Sequence, residues 1–139
     1  MTGLWVALAT LALGTVIGVV RLRRDGRVHE AGGDRLSAGD LGSGLGERAT
    51  LVQFSTAFCQ PCRATRRVLA DVSALVPGVA HVEIDAESRL DLVRRLDITR
   101  TPTVLVLDAA GGIVKRASGQ PRKADVLAAL AAAVPDSGL

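Results

Sequence analysis

The 139-residue chain has no tyrosine, one tryptophan and two phenylalanines. With so few aromatics, a packed interior must come from valine, leucine, isoleucine and alanine, and a hydrophobic share of 48% is ample for that. Cysteine is equally scarce: there are two, separated by two residues. They make at most one disulfide, and the loop it would close is too short to act as a stability staple. A structural zinc site normally takes four ligands. Here only His29 and His81 could complete one, so neither a metal nor a cofactor is expected. Excess charge is also missing from most of the chain. The formal net charge is +3, and all of it resides in Arg21, Arg23, Arg24 and Arg27 around Asp25. From Val28 onward basic and acidic residues cancel, which leaves no electrostatic footprint for nucleic acid. No internal repeat is present.

What the chain does have, first, is an uncharged run from Thr2 to Val20. A bilayer core needs roughly 20 apolar residues, and this run just reaches that length. Trp5 near one end fits an interfacial anchor. A cleaved signal peptide wants positive charge before its apolar core and a small-residue site after it. Here the charge follows, and Arg21-Leu22-Arg23-Arg24 is a poor cleavage site, so the run reads as a retained single-pass anchor. Arginine after the helix and none before it predicts that the rest of the chain faces the cytoplasm. The expected division is a transmembrane helix over 2–20, a basic juxtamembrane segment and linker over 21–34, and a folded domain over 35–139.

The second feature is Thr56-Ala57-Phe58-Cys59-Gln60-Pro61-Cys62-Arg63. An apolar strand-type run, Leu51-Val52-Gln53-Phe54, precedes it, and helical spacing from Arg63 to Val76 follows. A Cys-x-x-Cys at a strand-to-helix junction reads as a redox motif. Residues three apart on a first helical turn share a face, so the two sulfurs can meet. The helix terminus favours thiolate, which makes Cys59 the expected low-pKa nucleophile and Cys62, one turn deeper, the resolving thiol. Pro61 suits the first turn, where a missing N–H costs nothing.

The remaining elements follow from periodicity and turn residues. Val28-His29-Glu30 reads as a short edge strand, and Ser37 as the cap of a short helix. Ala49–Ser55 is the expected central strand. The next helix carries Val68, Leu69, Val72, Leu75 and Val76 on one face and stops at Pro77-Gly78. Val79–Ile84 is a strand, and Leu90, Val93 and Leu96 form the stripe of a shorter helix. Thr103–Leu107 and Ile113–Ala117 are strands around a turn at 108–112. A last helix from near Pro121 buries Val126, Leu127, Leu130 and Val134. His29 reads as a solvated histidine.

The run from Leu51 to Cys62, with Thr101-Pro102-Thr103 before the apolar Val104-Leu105-Val106-Leu107, resembles the active-site turn and cis-proline loop of the thioredoxin family. The likeness extends over about Arg35 to Val134. It implies an α/β thioredoxin fold, a mixed central sheet with helices on both faces. It also implies that Pro102 is cis and packs beside the sulfurs, and that Thr101 offers backbone hydrogen bonds to an extended substrate segment. Phe58, Gln60 and Pro61 then complete the substrate-binding surface. Phe58 stands where the family has tryptophan, and Gln60 where it has glycine. Gln53 replaces a buried acid and cannot take a proton. His81 replaces a lysine and becomes a candidate proton relay for Cys62; a structural histidine is the other reading.

The function these residues point to is thiol–disulfide oxidoreduction, reducing protein disulfides through the Cys59–Cys62 pair. A reductase or other thiol electron donor of unknown identity would recharge it. Two alternatives remain open: a reductase on the exported side acting on apocytochrome or envelope proteins, and a non-catalytic docking module built on the same loop.

Overall fold

Residues 1–24, 28–30 and 34–134 are described by the computed structural model of the chain. Asp25 and Arg27 of the basic cluster, residues 135–139 and the side chain of His29 lie outside that description.

The apolar N-terminal run is one helix, α1 (Thr2–Arg24). By length and composition it can cross a membrane, as can a signal sequence, and none of its most apolar stretch is buried inside the protein. The rest alternates strand and helix: β1 (Val28–Glu30), α2 (Ala38–Leu41), β2 (Ala49–Ser55), α3 (Gln60–Leu75), β3 (Val79–Asp85), α4 (Leu90–Arg95), β4 (Thr103–Asp108), β5 (Ile113–Ser118) and α5 (Lys123–Ala133).

The five strands form one mixed sheet in the order β1-β5-β4-β2-β3. β2 and β3 are parallel, as a helical crossover through α3 requires. β4 runs antiparallel to both β2 and β5. β1 pairs antiparallel with β5, Val28 opposite Ala117, and so occupies an edge. It lies upstream of residue 35, where the sequence placed the start of the domain. Because β1 adds beyond β5 and not beyond β3, the middle of the five strands is β4; β2, expected there, sits one place over, still flanked on both sides.

Period-two alternation sorts the interior into two layers. Leu51, Val104 and Val106 point toward α3 and α5, against Leu69, Val72, Val126 and Leu130. Val52, Phe54, Leu105 and Leu107 point the other way, against Leu41, Leu92 and Leu96. Three leucines expected inside are not. Leu75 is 62% exposed, and Leu90 and Leu127 are also exposed. At 100° per residue each lies well off the buried stripe of its helix. Those stripes run instead through Thr65, Leu69 and Val72, through Leu92 and Leu96, and through Val126, Ala129, Leu130 and Ala133.

α2 is short but tightly defined. The Ser37 hydroxyl accepts from Asp40 N–H at 3.1 Å, and the Asp40 carboxylate accepts from Ser37 N–H at 2.9 Å. This capping box, with the Arg95 guanidinium alongside, holds the Asp40 carboxyl down at about 2.

Candidate functional site

The site is assembled where β2 ends and β4 begins. The two strands are antiparallel neighbours, with Phe54 opposite Thr103. The chain leaving β2 and the chain entering β4 therefore meet at one end of the sheet. The first carries the cysteines and the second carries Thr101 and Pro102. The Thr101–Pro102 peptide bond is cis, Pro102 is buried, and its carbonyl accepts from Gly119 N–H at 2.8 Å.

Cys59 is the N-cap of α3, with extended backbone. Its sulfur accepts from Cys62 N–H at 3.1 Å, taking one of the N–H groups that a first helical turn leaves unpaired. Gln60 and Pro61 fill the next two positions, so the helix begins at the motif itself. Cys62 is the third helical residue, and its Cα lies 5.2 Å from that of Cys59, with the two sulfurs joined as a disulfide. The two differ sharply in access. Cys62 is 1% exposed, whereas Cys59 is partly open to solvent. Phe58 stands beside it at 98% exposure, and Gln60 and Pro61 are exposed as well.

Beneath Cys62 lies a polar pair. Gln53, fully buried on β2, donates from Nε2 to the Cys62 carbonyl at 2.7 Å. Its Oε1 faces His81 Nε2 at 3.4 Å. His81 is on β3 opposite Leu51, one pair away from Gln53 on the same face. Burial pushes the imidazole below its ordinary pKa of 6.5; Glu83 opposes this shift and Arg66 adds to it. The ring is therefore neutral at pH 7. With Gln53 Nε2 committed to the carbonyl, Oε1 is the acceptor and His81 Nε2 carries the proton. The side chain of Gln53 thus stands between His81 and the backbone of Cys62.

On the β3 side a cavity of about 390 Å³ opens next to Cys59. Arg66 and Glu83 form a two-pronged ion pair across it, at 2.5 and 2.8 Å. From the sequence, Arg63, Arg66 and Arg67 read only as positive charge near the cysteines; the cavity itself has no motif, because it is left by the smallness of Ser55, Thr56 and Ala57. Among the described residues no three His, Cys, Asp or Glu side chains converge to hold a metal ion.

Comparison with known proteins agrees with this geometry. The thioredoxin family model matches residues 43–133. Thioredoxin H5 of Oryza sativa subsp. japonica is 28% identical over 60 residues, 43% of this chain and 44% of that protein. Thioredoxin domain-containing protein 8 of Mus musculus is 31% identical over 64 residues, 46% of this chain and 50% of that one. The chain spans about half the length of the curated relatives it matches. The crystal structure of thioredoxin F from spinach chloroplast superposes with a TM-score of 0.56 at 22% identity, over 63% of this chain and 78% of that one. That likeness is one of fold. With the cysteine pair at disulfide distance, fold and site together support thiol–disulfide oxidoreductase chemistry.

Proposed function

The chain belongs to the thioredoxin family, and from that premise we propose that it is a membrane-anchored protein-disulfide reductase working through Cys59 and Cys62. The observation that carries this reading is the contrast in access between the two sulfurs, one partly open at a helix terminus and the other buried one turn in. In the reduced protein the Cys59 thiolate, favoured by the α3 terminus, attacks a substrate disulfide. One substrate sulfur leaves as thiolate and a mixed disulfide remains on Cys59. Cys62 then loses its proton and attacks Cys59 Sγ. The second substrate sulfur is released, and the Cys59–Cys62 disulfide forms.

Phe58, Gln60 and Pro61 offer an exposed surface around the attacking sulfur, and Thr101 and Pro102 provide the loop along which an extended substrate segment aligns. With His81 Nε2 already protonated toward Gln53 and the Gln53 amide unable to carry a proton, His81 acts by orienting Gln53 against the Cys62 backbone, and the Cys62 proton passes to water. The test is trapping. Cys62→Ser accumulates covalent complexes on Cys59 that collapse on reduction, and Cys59→Ser traps almost nothing and does not turn over. Equal trapping by both variants on a non-reducing gel would sink the assignment of roles.

Thr2–Val20 serves as the anchor, residues 21–34 as a juxtamembrane segment whose Val28–Glu30 joins the sheet, and residues 35–139 as the main body of the redox domain. Arginines following the helix support a cytoplasmic location for that domain. A reporter active only outside the cytoplasm, fused after Leu139, stays silent; strong activity would move the domain, and its substrates, to the exported side.

A further inference from the structure

The cavity beside Cys59 does not include the surface assigned above to protein substrates. Neither Phe58, Gln60 and Pro61 nor Thr101 and Pro102 lines it. Its floor is the end of β2, where Ser55, Thr56 and Ala57 leave the space open, and it reaches Cys59 but not Cys62. Its volume, about 390 Å³, falls within the roughly 300–1,000 Å³ range of small-molecule sites.

Four charged side chains line this space, and they are not equivalent. Arg66 and Glu83 neutralise each other. Arg63, one residue past Cys62 on α3, has no ion-pair partner among the described residues. Asp85, at the end of β3, is held in place by accepting from Glu87 N–H at 3.0 Å and from the Ser88 hydroxyl at 2.8 Å. One cation and one fixed carboxylate therefore face a small polar space that ends on the reactive sulfur.

We propose that this cavity binds a small thiol carrying both a carboxylate and an ammonium group, and that this thiol is the electron donor that reduces the Cys59–Cys62 disulfide. The proposal rests on the reductase reading above and adds the source of its electrons. The carboxylate pairs with Arg63 and the ammonium with Asp85, which points the sulfur at Cys59. The bound thiolate attacks Cys59 Sγ. A bond forms between the two sulfurs, and the Cys59–Cys62 bond breaks with its electron pair leaving on Cys62, which takes up a proton. A second molecule attacks the first one's sulfur, frees Cys59 as thiolate and departs as the symmetrical small disulfide. Two small thiols thus deliver two electrons. Separate approaches let protein substrate and donor reach the same sulfur without sharing a surface.

The experiment uses the oxidised full-length protein in detergent. Glutathione is the zwitterionic probe and 2-mercaptoethanol the uncharged one. The rate of appearance of protein thiols is read by acid quench and alkylation, in high salt so that long-range attraction is screened. The glutathione rate saturates with concentration and the 2-mercaptoethanol rate rises linearly. Arg63→Ala lowers the glutathione-to-2-mercaptoethanol rate ratio roughly tenfold, the scale of one charge-assisted hydrogen bond, and Arg63→Lys recovers part of it. Ala57→Leu, at an exposed position, narrows the cavity and lowers the same ratio. A linear glutathione dependence, or a ratio that neither substitution moves, overturns the proposal. So does competition showing that an acidic peptide disulfide fills the cavity in preference to glutathione. Reduction of insulin with dithiothreitol as electron source, run on the same preparation, tests the reductase reading separately. If insulin is reduced while glutathione shows no selectivity, this inference alone fails.

Discussion

Along β2, Val52 and Phe54 face α2 and α4, while Leu51 and Gln53 face α3 and α5. The first face is mainly apolar, closed by the Phe54 ring, and its buried hydroxyls are partnered by backbone: Thr50 accepts from Gly46 N–H and Thr103 donates to the Arg100 carbonyl. The second face is the one that lies under the cysteines, and it accepts a buried amide and a half-buried imidazole within the same two-residue step. Burying these polar groups is tolerable because each finds a partner, and among the described residues no buried side-chain nitrogen or oxygen lacks one. Both faces of the strand thus bury polar groups, but on the first they only satisfy nearby backbone, and on the second they reach the backbone of Cys62.

That division can be broken in three places. Phe54→Ala should cost about 3–5 kcal/mol of stability, read from denaturant unfolding, and the folded fraction should keep the same ratio of attack to resolution rates. A changed ratio would mean that the packing face also shapes the site. Gln53→Met keeps the side-chain length but removes the bond to the Cys62 carbonyl. The expected loss is about 0.5–1.5 kcal/mol, with release of the mixed disulfide slowed several-fold and the first attack unaffected; equal slowing of both steps would count against a role specific to Cys62. The smallest effect belongs to His81. Its folded pKa lies below the unfolded value of 6.5. The stability it supports is present above that value and is lost as pH falls from there through the folded pKa. His81→Gln should flatten the decline in melting temperature over roughly pH 7 to pH 5, and an unchanged slope would place the titration elsewhere.

Much of this was legible in the residues. The extent of β2 follows from the strand-type run Leu51-Val52-Gln53-Phe54 and the turn chemistry that bounds it, and the capping role of Ser37 from its position before a short helix. Counting along β3 put His81 on the strand next to Gln53; the register pairs it with Leu51, and its ring reaches Gln53 Oε1 along the same face. Other features were not readable, for physical reasons. Three residues of β1 carry too little alternation to name a partner strand, so the choice of β5 over β3 is a tertiary outcome. Large leucines drew attention to Leu75, Leu90 and Leu127, while α5 packs through the small Ala129 and Ala133. The cavity beside Cys59 is defined by what Ser55, Thr56 and Ala57 do not fill, and emptiness leaves no motif.

One connection bears on how such a catalyst meets its partners. α1 ends at Arg24 and β1 begins at Val28, already paired into the sheet. Three residues lie between, and even a fully stretched chain of that length reaches only roughly 14 Å. With α1 in a bilayer, the domain is on a short leash, and its β1 edge stays within that distance of the helix end. Its search is confined to a thin shell over the membrane. Disulfides carried on membrane proteins are then met at high effective concentration, whereas partners diffusing freely in solution gain nothing from the tether. Lengthening the leash trades that local advantage for reach, so selectivity between the two partner classes is set by chain length as well as by the surface around Cys59.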